Sequence, residues 1–166
     1  MLCMVEVCEF SEEFALYGDL IVATKYWKLF LAPSQRYLGT CVLSLNRECS
    51  DLKFLKKEEW EEYSILVKDI EIAIGDIFSP DLFNWSCFKN AAFRDENPKP
   101  EVHWHIHPRY KEIAIFDGIE FEDPDFGYVP QPITKKIPEN TKNKMKDLIR
   151  DKLAISCGEL LVDHLE

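Results

Sequence analysis

Three of the four histidines in this chain stand at alternate positions, as His103, His105 and His107. In an extended strand, alternate side chains point to the same face of the sheet, about 6.6 Å apart. The spacing therefore predicts a β-strand over 101–107 that carries a row of imidazoles. An imidazole can act as a nucleophile, an acid or a metal ligand, whereas a polar row on a solvated sheet face is the structural alternative. The apolar residues in between are predicted to face the core: Val102, Trp104 and Ile106.

Further runs of β-branched and aromatic residues predict the rest of an antiparallel sheet. Three of them, over 19–24, 26–31 and 40–45, follow one another closely, with a turn at 33–39 between the second and the third. They are expected to form a meander. A fourth run, over 82–88, supplies one more strand.

The segment from Lys56 to Phe78 has the periodicity of a helix. Its apolar residues recur at steps of three and four, which is typical of a helix that packs one stripe against a sheet. The stripe consists of Trp60, Tyr63, Val67, Ile70, Ile74 and Ile77. The acidic residues of the first turns are interpreted as a solvated face that suits a helix N-terminus: Glu58, Glu59, Glu61 and Glu62.

The C-terminal third continues this α+β pattern with less regular sequence. Glycines and prolines over 111–138 predict a long ordered loop. Lys142 to Leu153 predicts a short surface helix within a segment 139–155, and the tail 156–166, with His164, is expected to be loosely held. We expect a single domain over 1–166, with about five antiparallel strands, a long packed helix and a C-terminal helix around a core at 19–110.

Charge and cysteine content restrict the possible partners and surroundings. Thirty acidic and twenty basic residues give a net charge of −10, which disfavours an extended nucleic-acid surface or binding to an anionic membrane. An anionic ligand must therefore be captured locally. Six cysteines without a CxxC pair, and no long apolar segment, predict reduced thiols in the cytoplasm. Cys3 and Cys8 are expected to belong to a frayed terminus rather than to a zinc site.

The histidine row is followed by Pro108-Arg109. This stretch resembles the signature of the histidine triad family, His-φ-His-φ-His-φ-φ, which is commonly followed by Pro-Arg. A weaker match upstream runs from Gly39 to Arg47, so the likeness covers about 19–110. The family consists of nucleotide hydrolases and transferases, usually homodimers, that need no metal or other cofactor at this site. The resemblance implies cleavage at the α-phosphate of a dinucleoside polyphosphate or a nucleoside phosphoramidate, through a nucleotidyl-histidine intermediate.

Two registers are possible against that signature. Placing the three histidines on the family's three makes His105, the middle one, the nucleophile. Anchoring on Pro108-Arg109 makes His103 the nucleophile, and Asn90 then stands eleven positions before the first triad slot, where the family often has an amide. In this second register the triad slots hold Glu101, His103 and His105, and the spacers are Ile106 and His107. Two landmarks favour it, and His103 is the predicted nucleophile.

The candidate catalytic residues are therefore His103, His105, His107 and Glu101. By the resemblance, Asn90, Arg109 and Asn97 are candidates for binding substrate, although the family's Gly-Gln-Ser/Thr falls on Glu96-Asn97-Pro98, which lacks the glycine and the hydroxyl. A carboxylate at Glu101 near a phosphate is unfavourable unless it is protonated or paired, for instance with Arg109 or a histidine. For Arg109 itself, pairing with Glu101 is the expectation, and clamping a phosphate through its planar guanidinium is the alternative. Candidates for a base pocket, with core packing as the alternative, are Leu29, Phe30 and Leu31.

Two rival functions remain open. The three histidines can be ligands of zinc or iron in a metal-dependent hydrolase. The departures at Glu101 and at 96–98 also permit a nucleotide-binding or interaction module that performs no turnover.

Overall fold

The structure of the chain is a computed structural model that describes residues 17–157, with side chains up to residue 154. The predictions for Cys3, Cys8 and His164 lie outside these residues. Five strands form an antiparallel sheet in the order β1-β2-β3-β5-β4, which confirms the predicted meander. Their bounds are β1 Asp19–Ala23, β2 Trp27–Leu31, β3 Cys41–Leu45, β4 Leu82–Ser86 and β5 His103–Arg109.

The turn between β2 and β3 is tied down by the side chain of Gln35. Its amide nitrogen donates to the carbonyl oxygens of Ala32 and Thr40, and its amide oxygen accepts the Gly39 N–H. Gly39 has a φ of +83°, and a Cβ at this position would lie 2.9 Å from a ring carbon of Phe78. The turn therefore needs glycine at 39 for both backbone conformation and space.

The predicted helix is present as α1, Lys57–Phe78, with Lys56 as its N-cap. It packs on one face of the sheet and buries Ile70 and Ile74 completely. Its buried stripe is rotated from the predicted one, because Trp60 is exposed whereas two acidic residues turn inward.

The interpretation of the acidic run as a solvated face is wrong for Glu59 and Glu62, which are buried. Both carboxylates have the partners that burial requires. Glu59 accepts hydrogen bonds from the Arg47 guanidinium and from the Lys56 N–H, and Glu62 accepts them from the Thr24 hydroxyl and the Tyr26 N–H. Hydrophobic periodicity does not detect such residues, because their burial depends on partners distant in sequence.

The loop predicted over 111–138 contains a β-hairpin, β6 Ala114–Phe116 and β7 Ile119–Phe121. Asp117 and Gly118 at its tip both have positive φ, and Asp-Gly is a strong hairpin signal that the loop prediction passed over. The C-terminal helix is confirmed and is longer than predicted, as α2, Glu139–Cys157. It packs against α1 and β1 and buries Met145, Ile149 and Leu153.

The predicted α+β class is confirmed, with the sheet, the long helix and the C-terminal helix all present. None of the helices within 17–157 is long and apolar enough to cross a membrane. The described cysteines, Cys41, Cys49 and Cys87, are free thiols.

Candidate active site

Strand β5 places the three histidines on the sheet face opposite α1, as the alternation predicts. On the α1 side, the Trp104 ring stacks on Tyr63 of the helix, with 5.0 Å between ring centroids. On the other side, the centroid distances are 5.0 Å from His103 to His105 and 6.0 Å from His105 to His107. His103 and His105 are buried and His107 is half-buried, so this row is not a solvated sheet surface.

A contact with the backbone just before β5 fixes the orientation of the His103 ring. Its Nδ1 atom lies 2.8 Å from the backbone carbonyl oxygen of Glu101. A carbonyl oxygen only accepts, so this contact is a hydrogen bond when Nδ1 carries the proton. In the neutral ring, the lone pair then resides on Nε2.

Tyr17 covers His103 from the side of β2. The two rings lie 5.1 Å apart, and the Tyr17 ring also packs 5.7 Å from Phe30. The Tyr17 hydroxyl donates a 3.1 Å hydrogen bond to the Glu101 carboxylate. Burial, together with the neighbouring Glu101 charge, raises the pKa of Tyr17, so this hydroxyl stays protonated and remains a donor to Glu101.

The expected pairing of Glu101 with Arg109 is wrong, because Arg109 is paired with Asp123. The guanidinium is almost fully buried and uses all five of its N–H donors. Two go to the carboxylate of Asp123, at 2.7 and 2.9 Å. The other three go to the Asn84 side chain and to the carbonyl oxygens of Asp125 and Tyr128. In this arrangement Arg109 organises the segment after β7 and has no N–H left for a phosphate.

A cleft of about 880 Å³ opens beside the histidine row, over β4. His105 and His107 line it, whereas His103 lies next to it and is not part of its lining. Of the predicted substrate-binding amides, Asn90 lines the cleft and Asn97 is exposed outside it. Asn90 therefore shares the cleft with His105 and His107, and Asn97 does not.

One wall of the cleft is the segment 127–134, which is anchored along its length. Arg109 binds the Tyr128 carbonyl, and the Tyr37 hydroxyl accepts the Gln131 N–H at 2.9 Å. The Ser34 hydroxyl donates to the Ile133 carbonyl at 3.2 Å. These bonds give the cleft an ordered wall.

The charge of the lining is opposite to that of the chain. Among the residues within 17–157 that line it are three arginines and two histidines and no aspartate or glutamate, in a chain whose net charge is −10. Arg109 is neutralised by Asp123, whereas Arg36 and Arg94 form no ion pair with any residue that the structure describes. Neither arginine belongs to a motif, so no sequence pattern pointed to them, and only the fold brings the turn at 36 and the segment at 94 to one cleft.

The three base-pocket candidates lie on two different sides of the sheet. Among the base-pocket candidates, Leu29 and Leu31 belong to the core on the α1 side. Phe30 stands in the row of Val42 and His105 and therefore faces the histidine side. As for the metal alternative, no group of three or more His, Cys, Asp or Glu side chains within the described residues is arranged to hold an ion.

No protein-family model matches the sequence, and no curated protein matches it. Solved structures do match. A histidine triad protein from Marinobacter aquaeolei VT8 is 14% identical over 90% of this chain and 98% of its own, with a TM-score of 0.63. A hypothetical histidine triad nucleotide-binding protein from Sulfolobus tokodaii strain7 is 14% identical over 89% of this chain and 93% of its own, with a TM-score of 0.62.

A third match is the diadenosine triphosphate hydrolase of Plasmodium falciparum, solved in complex with cyclomarin A. It is 17% identical over 87% of each chain, with a TM-score of 0.54. At these identities the likeness concerns the fold. The chain has the histidine triad fold, as the motif at 103–109 predicts.

Proposed function

We propose that this protein is a nucleotide hydrolase of the histidine triad type. It cleaves at the α-phosphate of a dinucleoside polyphosphate or a nucleoside phosphoramidate, through a nucleotidyl-histidine intermediate on His103. The observation that carries the proposal is the 2.8 Å contact between His103 Nδ1 and the Glu101 carbonyl oxygen, because it leaves Nε2 as the nucleophilic atom.

The reaction proceeds in two displacements. His103 Nε2 attacks the α-phosphorus, and a P–N bond forms while the bond from phosphorus to the leaving group breaks. The leaving group takes up a proton, for which the neighbouring imidazoles are the candidate donors. Water then attacks the same phosphorus and gives a proton to the imidazole that protonated the leaving group, the P–N bond breaks, and the nucleoside monophosphate and the neutral His103 imidazole are released. Each displacement is easier than one direct attack by water.

The other predicted residues take supporting roles. His105 and His107 face the cleft and are the candidates to stabilise the oxygens of the phosphoryl group. Asn90 adds an amide at the same cleft. Glu101 orients the nucleophile through its carbonyl, while its carboxylate is turned to Tyr17. We also propose that the protein is a homodimer, as the resemblance implies, and sedimentation velocity tests this state.

A second candidate, a nucleotide-binding module without turnover, is favoured by a different observation. The predicted nucleophile is only 8% exposed and lies under the Tyr17 ring. A substrate phosphorus contacts His103 Nε2 only if the Tyr17 ring leaves room for it. If it does not, nucleotides bind at the cleft and are not cleaved.

The experiment measures release of AMP from adenosine phosphoramidate and from diadenosine triphosphate, with and without EDTA. We expect turnover that resists EDTA and that falls at least about 1,000-fold in His103→Ala. An adenylyl group on the peptide containing His103, detected by mass spectrometry, identifies the intermediate. Circular dichroism of each variant serves as the control for folding.

The other outcomes separate the alternatives. Loss of turnover in His105→Ala with activity retained in His103→Ala contradicts the proposed nucleophile and restores the register in which His105 attacks. Nucleotide binding without AMP release from the wild type supports the binding module. Turnover abolished by EDTA points to the metal-dependent alternative.

A further inference from the structure

The cleft contains more positive charge than a single α-phosphate uses. Arg36 comes from the turn between β2 and β3, and Arg94 from the connection between β4 and β5, and both line the cleft together with His105 and His107. Neither arginine forms an ion pair within the part of the chain that the structure describes.

The Nε atom of Arg36 is the more informative of these groups. It is buried and has no hydrogen-bond acceptor among the residues described, and buried guanidinium N–H groups normally have one. A buried guanidinium N–H without an acceptor, on a residue that lines a cleft, is a donor available to an anion such as a phosphate.

The same cleft offers exposed aromatic surface. Phe88 and Tyr128 line it and are 61% and 77% exposed. Exposed aromatic rings beside unpaired arginines are the combination that binds nucleotides, because the rings stack on bases while the guanidinium groups bind phosphates. The cleft adjoins the histidine row at His105 and His107, on the side of β4, whereas Tyr17 and Phe30 occupy the side of β2.

We propose that this cleft is the subsite for the leaving nucleotide of a dinucleoside polyphosphate, with its phosphates on Arg36 and Arg94 and its base on Phe88. The inference rests on the proposed function and narrows its substrate class. A phosphoramidate, whose leaving group is ammonia, makes no use of these residues. The subsite thus makes the dinucleoside polyphosphate the preferred substrate.

The test is a binding measurement that does not depend on turnover. In a His103→Ala background, which leaves the ligand intact, calorimetry gives the dissociation constants of AMP, ATP and diadenosine triphosphate. AMP lacks the added phosphates, and ATP has added phosphates without a second base. Arg36→Gln, Arg94→Gln and Phe88→Ala are compared with Arg150→Gln and Phe54→Ala, which change an arginine and an exposed aromatic residue outside the cleft lining.

In each cleft arginine variant, we expect the dissociation constants of ATP and diadenosine triphosphate to rise about tenfold relative to that of AMP. Phe88→Ala is expected to raise the dissociation constant of diadenosine triphosphate about tenfold and to leave those of ATP and AMP within about twofold of the background protein. The two control variants should bind all three ligands as the background protein does.

If the arginine variants weaken the binding of AMP, ATP and diadenosine triphosphate equally, the inference is overturned, since the arginines then bind the α-phosphate that all three ligands share. Unchanged constants in all three cleft variants, or no binding of diadenosine triphosphate, also overturn it. These outcomes are distinct from failure of the proposed function, which is read from AMP release by the protein with His103 intact.

Discussion

Arg109 and Asp123 form a buried, two-pronged ion pair, with Nε 2.7 Å from Oδ2 and Nη2 2.9 Å from Oδ1. Both side chains are 1% exposed. We expect Asp123→Asn to lower the free energy of unfolding by about 3–5 kcal/mol, because it leaves the guanidinium charge buried without its counter-charge. Urea denaturation at pH 7 measures the change.

The matched control for this pair is Asp125→Asn. Arg109 binds residue 125 through its backbone carbonyl, which the substitution keeps. We expect a change within about 0.5 kcal/mol. Equal destabilisation by the two variants would show that the Asp123 carboxylate is not the partner that stabilises Arg109.

We expect replacement of glycine by alanine to have opposite effects on stability at Gly39 and Gly75. Gly39→Ala places a Cβ at a φ of +83° and 2.9 Å from Phe78, so we expect at least about 1–2 kcal/mol of destabilisation. Gly75 lies in α1 with nothing within 4 Å of a built Cβ. Gly75→Ala is expected to stabilise the protein by about 0.5–1 kcal/mol. Thermal and urea unfolding of both variants measure the difference, and a shift of the same sign in both contradicts this account.

Glu59 should make stability depend on pH in the acid range. Hydrogen bonds from Arg47, which outweigh the effect of burial, lower the pKa of Glu59 in the folded state. The stabilisation is therefore complete above the unfolded value of about 4.3 and is lost as the pH falls through the lower folded value. We expect Glu59→Gln to cost about 1.5–3 kcal/mol at pH 7 and progressively less below about pH 4.

Urea denaturation at several values between pH 7 and pH 3 measures this dependence. Glu58→Gln is the control, since Glu58 lies on the same turn and is exposed. A cost of Glu59→Gln that stays constant down to pH 3 would mean that the ionisation of Glu59 does not contribute.

Tyr17 is expected to limit chemical access to His103. The ring covers the imidazole at 5.1 Å, so Tyr17→Ala should make His103 react several-fold faster with diethyl pyrocarbonate. Tyr17→Phe keeps the ring and removes the hydroxyl that donates to Glu101, so its rate should stay near that of the wild type. Peptide mass spectrometry resolves His103 from His105. Equal rates in all three proteins would show that the ring does not protect His103.

Local patterns in the sequence predicted much of this fold. The alternation at 103–107 predicted a strand with two different faces, and the steps of three and four between Lys56 and Phe78 predicted α1 almost to the residue. Such patterns are readable because a strand or helix repeats its geometry every few residues. The Asp117-Gly118 hairpin was equally local, and the number of prolines and glycines around it obscured the signal.

No local sequence pattern indicated the contacts of the charged residues. Glu59 and Glu62 look like surface residues in the sequence and are buried, because Arg47 and Thr24 reach them across the fold. Arg109 was predicted to pair with Glu101, eight positions away, and pairs with Asp123 in a segment whose path only the structure defines.

The sequence by itself determined the histidine strand, its two faces and the resemblance to the histidine triad family, since these depend on residues close together along the chain. The tertiary structure decided what surrounds the histidines: Tyr17 over His103, and a cleft with Arg36 and Arg94. Those residues come from segments far apart in the chain. Which of them meet depends on the packing of the sheet and its connections, and no local pattern records that packing.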